Sequence, residues 1–116
     1  MKTARMTMSH SWTYTTWPDP DSAEAAAKQL IEEKLCACAN VFRGMISVYR
    51  WQGKVETAQE AIMVLKTRTD LAPALCERIV ALHPHDEPCV LSLPVDTAGS
   101  AAGFLDWIDR ETRPSS

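Results

Sequence analysis

The run His83-Pro84-His85-Asp86-Glu87-Pro88 gathers two imidazoles and two carboxylates between prolines. Imidazole and carboxylate together suit zinc or copper(II), so His83 and His85 are candidate metal ligands. The same stretch also makes a plain polar corner between a helix and a strand, because the residue before a proline is driven out of the helical region. A second set, Tyr49, Trp51 and Lys66, offers aromatic walls and one cation, which suits a small anionic or planar ligand. Tryptophan and tyrosine serve equally well as anchors between chains. There is no Gly-x-Ser-x-Gly, no phosphate-cradling glycine loop and no carboxylate pair fixed on one element. No catalytic residue is named, and the chain is read as a protein other than an enzyme.

Cys36, Cys38, Cys76 and Cys89 are the four cysteines. With no apolar stretch long enough for a signal core or a membrane span, a cytoplasmic chain is expected, and its cysteines are read as buried thiols. The net charge of -3 is mild and the twelve basic residues are dispersed, so neither nucleic acid nor a membrane is expected as a partner. At 116 residues and 46% hydrophobic content the chain forms one domain, its core spanning about residues 6–113.

The elements that must position these groups follow from periodicity. Met6 to Thr16 alternates with period two, placing His10, Trp12 and Tyr14 on one face and Thr7, Ser9, Ser11, Thr13 and Thr15 on the other. A whole face of hydroxyls on a central strand either meets water and itself or lines a functional cavity, since each buried hydroxyl without a partner costs about 1–3 kcal/mol. The aromatic face reads as a packed layer. Asp19-Pro20-Asp21 starts a helix whose apolar stripe is Ala23, Ala26, Ala27, Leu30, Ile31, Leu35 and Cys38. Val41 to Trp51, the turn Gln52-Gly53 and Lys54 to Arg68 form a β-hairpin. Thr69-Asp70 is expected to cap a second helix with core residues Leu71, Leu75, Ile79 and Leu82. Cys89 to Val95 is a last strand, and Ser100 is expected to cap a short helix carrying Phe104, Trp107 and Ile108.

The order β-α-β-β-α-β plus a C-terminal helix is an α+β chain of the ferredoxin-like, split βαβ type. The hairpin strands are overlong for such a domain. Their projecting part carries Val48, Tyr49 and Trp51 on unpaired backbone, a liability that association with other chains removes.

The stretches Glu33-Lys34-Leu35-x-Ala37-Cys38-Ala39-Asn40, Ser47-Val48-Tyr49-Arg50-Trp51-Gln52-Gly53-Lys54-Val55-Glu56, Lys66-Thr67-Arg68 and Leu82-His83-Pro84, in this order and spacing, resemble the CutA family of divalent-cation tolerance proteins. The resemblance covers roughly Thr16 to Arg113. It implies a homotrimer similar in architecture to PII signalling proteins, the long hairpin strands pairing between subunits, and a link to copper and other divalent cations. Members with a proposed copper site carry a cysteine at the end of the first strand and two histidines before the proline. Here those positions are Thr15, Leu82 and His83, so any copper or zinc binding is expected to be weak. Three roles follow: a metal-responsive trimer, a PII-like sensor of a small anionic ligand, and a structural trimer that docks a protein partner.

Overall fold

The computed structural model describes residues 9–114. Its elements are β1 (His10–Trp17), α1 (Pro20–Glu32), β2 (Cys38–Trp51), β3 (Lys54–Arg68), α2 (Ala72–Leu82), β4 (Val90–Pro94) and α3 (Ala102–Glu111). The strands form one antiparallel sheet in the order β2-β3-β1-β4, the split βαβ arrangement expected from the element order. Met6 to Met8, read as part of the first strand, lie outside the described residues.

Helix α1 starts where its cap predicts: the Asp19 carboxylate accepts from the Ser22 N–H at 2.7 Å, and Pro20 occupies the first turn. Its buried stripe is Ala23, Ala26, Ala27 and Leu30, and the three alanines let the helix lie close to the sheet. The stripe ends sooner than periodicity suggested. Lys34 takes a left-handed φ of 61°, its N–H donating to Ile31 O and the Leu35 N–H donating to Leu30 O, which closes the helix in a Schellman turn. Leu35 therefore packs from the following loop, Ile31 stays exposed, and Cys38 begins β2.

Helix α2 begins after a short 3-10 turn, Thr69–Leu71, and neither Thr69 nor Asp70 caps it. Both side chains are engaged elsewhere: Thr69 Oγ1 meets Ser11 Oγ at 2.8 Å, and Asp70 pairs with Arg68 at 3.1 Å. Arg78 of α2 grips Glu33 with Nε at 2.9 Å and Nη2 at 3.0 Å, joining the two helices at the surface. The Arg78 hydrogen bond, with help from Gln29, holds the Glu33 carboxyl below its usual range.

Both helices cover one face of the sheet. The core there joins Trp17, Ala61, Met63 and Leu65 to Ala23, Ala26, Ala27, Leu30, Leu75 and Ile79. The β1 residues on this face are Ser11, Thr13, Thr15 and Trp17, so the hydroxyl face points into the core. Thr13 and Thr15 are enclosed there, while Ser11 also borders a cleft beside α3. Thr15 Oγ1 donates to Met63 O at 2.8 Å and accepts from Trp17 Nε1 at 2.7 Å, while Thr67 Oγ1 donates to Leu35 O at 2.7 Å. Thr13 Oγ1 alone is buried without a partner in this layer.

The opposite face is only partly covered, by α3. Leu105 and Ile108 turn inward against Ala37, with Val95 and Trp107 beside them, while Phe104 is 45% exposed. Ser100 does not cap the helix; its hydroxyl closes the preceding loop by donating to Asp96 O at 2.6 Å. Trp12 is 46% exposed beside Leu93, so the aromatic face of β1 is not a packed layer within one chain.

Strands β2 and β3 run for 14 and 15 residues, yet β1 pairs only with Ala61 to Arg68. The remaining arm, Met45–Trp51 against Lys54–Glu60, has no third strand and stretches the chain to 53 × 29 × 22 Å. A bulge at Arg43 and Gly44, with Gly44 at φ 75°, marks its base. Gln52 and Gly53, both at positive φ, form the two-residue turn at its tip.

The hydroxyl layer gives a paired prediction. Thr15→Val leaves the buried Trp17 N–H without an acceptor and should destabilise by about 1–3 kcal/mol. Thr13→Val, which removes an oxygen that has no partner, should be neutral or stabilising. Urea unfolding midpoints at one fixed protein concentration measure the difference, and equal losses would show that these bonds do not hold the layer.

Candidate functional site

The corner at 83–88 is built by Pro84, which turns His83 to an extended conformation (φ −75°, ψ 140°) as α2 ends. This leaves the His83 ring 8% exposed against the core, its centroid 4.3 Å from that of Trp17. The His85 backbone N–H donates to His83 Nδ1 at 3.0 Å, so the proton sits on Nε2, which donates to Thr16 O at 2.8 Å. Both nitrogens are thus occupied by backbone partners. The His85 ring is exposed, 5.0 Å from His83 centroid to centroid, and Asp86 and Glu87 point to solvent.

A copper or zinc ion therefore finds an incomplete donor set here. His83 must surrender a buried hydrogen bond before it ligates, Thr15 is engaged with Met63 and Trp17, and Leu82 supplies no donor. Among the described residues no group of three or more His, Cys, Asp or Glu side chains is placed to hold a metal ion.

The four thiols are free but not uniformly buried. Cys36 is enclosed, and burial pushes its thiol up to about 12, with Cys38 adding to the rise. Cys38 and Cys76 are half-buried and Cys89 is exposed, contrary to the expectation of buried thiols. The difference arises because Cys89 precedes β4 in the loop, and Cys38 lies on the sheet face that α3 only partly covers. Burial raises the Cys38 thiol while the Lys66 ammonium opposes the rise.

Tyr49 and Trp51 sit near the tip of the arm, Trp51 being 60% exposed. The bulge shifts the alternation of β2, so both share a face with Glu56 and Lys54, and hence with Lys66 farther along β3. Lys54 and Lys66 are twelve residues apart on one strand, a separation of about 40 Å, so one chain does not bring all three side chains together. Lys66 instead meets partners that sequence reasoning did not assign to it. Its Nζ lies 6.0 Å from the Trp12 ring centroid and 5.6 Å from that of Phe104. These rings border a cleft of about 310 Å3 between α3 and the sheet, with Val95, Leu105 and Ile108 also on its walls. Cross-strand pairing of Lys66 with Trp12 and the docking of α3 create this group, and neither leaves a local signal.

His10 is 4% exposed and its Nε2–H donates to the Asp109 carboxylate at 2.8 Å, tying β1 to α3. No helix among the described residues is long and apolar enough to cross a membrane.

Comparison with known proteins places this geometry in context. The profile of the CutA1 divalent ion tolerance protein family matches residues 11–111. The chain is 42% identical over 97 residues to the divalent-cation tolerance protein CutA of Thermus thermophilus, covering 84% of this chain and 92% of that one. It is 40% identical over 102 residues to the chloroplastic protein CutA 1 of rice, of which it spans 56%. The crystal structure of CutA1 from rice superposes with a TM-score of 0.87 at 38% identity, covering 94% of this chain and 98% of that one. With nearly all of the described residues matched and the same fold found in solved structures, the chain belongs to the CutA1 divalent ion tolerance family.

Proposed function

We propose that this protein acts in tolerance of divalent cations as a non-catalytic homotrimer in the cytoplasm. Membership of the CutA1 family over residues 11–111 is the observation that carries this reading. The non-catalytic part is supported by how the polar groups are used: the buried hydroxyls and His83 are engaged in holding the sheet and its corner. Deleting the gene should lower the copper concentration that arrests growth, and restoring the chain should reverse the effect. Unchanged growth would end the tolerance reading.

The trimer is supported by the exposed arm. Ile46, Val48 and Val55 are 64–66% exposed on one face, and Tyr49 and Trp51 are exposed on the other. An isolated two-stranded ribbon with apolar residues on both faces is marginal in water, and packing between chains supplies the missing contacts. Tyr49 and Trp51 are then interface anchors. Light scattering should give the mass of three chains. Trp51→Ala should weaken assembly by about 2 kcal/mol or more, read as dissociation at a higher protein concentration. A concentration-independent monomer would overturn the assembly.

His83 and His85 supply, at most, a weak contact for copper(II) or zinc. Calorimetric titration should show low affinity that His85→Ala abolishes without loss of stability. His83→Ala should cost about 2 kcal/mol or more even without metal, because it empties a buried site and strands the Thr16 carbonyl. Tight stoichiometric binding that survives both substitutions would place the metal elsewhere.

A further inference from the structure

We draw no further inference here: the strongest candidate, the buried His10–Asp109 pair between β1 and α3, belongs to the packing of α3 already described, and nothing in the structure shows a second state between which it would switch.

Discussion

A central strand that turns hydroxyls toward two helices depends on the acceptors that most of those hydroxyls find inside the protein, Thr13 Oγ1 being left without one. Ser11, Thr13 and Thr15 of β1, together with Thr67 of β3, occupy the layer where most proteins of this size place valine and isoleucine. Thr15 solves the problem by bonding both Met63 O and the Trp17 indole, and Thr67 by bonding the loop carbonyl of Leu35. These bonds fix where α1 ends, because Leu35 is the residue that closes its Schellman turn. They also fix Trp17, whose ring supports His83 and so the entry to β4. Polar satisfaction at one strand thus sets the register of the corner on which the candidate metal ligands stand.

Much of the architecture was legible in the sequence. Element order, the cap at Asp19, the small-residue stripe of α1 and the turn at Gln52-Gly53 all rest on local chemistry, and local chemistry is written along the chain. The direction of the β1 hydroxyls was not legible. Hydrophobicity sends them outward, and the partners that admit them to the core, Met63 and Thr69, are 48 and 58 residues away. Leu105, which packs against Ala37 from α3, was not singled out for a similar reason: the helical period gives a face only to within about one residue.

The candidate site divides the same way. His83 was identifiable as a corner residue because proline follows it, but its occupied nitrogens depend on Thr16 and on a bend that brings the His85 N–H back onto the ring. Tyr49, Trp51 and Lys66 share a sheet face because the bulge shifts the alternation of β2, and sharing a face says nothing of distance along it. Lys66 belongs with Trp12 and Phe104, a grouping that arises only when β1 pairs with β3 and α3 folds back over both.

The bulge at Arg43 and Gly44 also sets what lengths of arm the fold tolerates. One strand carries an extra residue there, so the facing of the β2 side chains from Met45 to Trp51 is offset by one from those before the bulge, while β3 alternates through without a break. Adding one residue to each strand beyond the bulge would leave the tip turn intact while exchanging which residues near the tip face each side. Adding two to each would lengthen the arm by about 7 Å and restore every facing. The body of the sheet would not register either change. Reach is therefore adjustable in steps of two residues per strand, a modular quantity that can diverge between related chains while the packed domain stays constant.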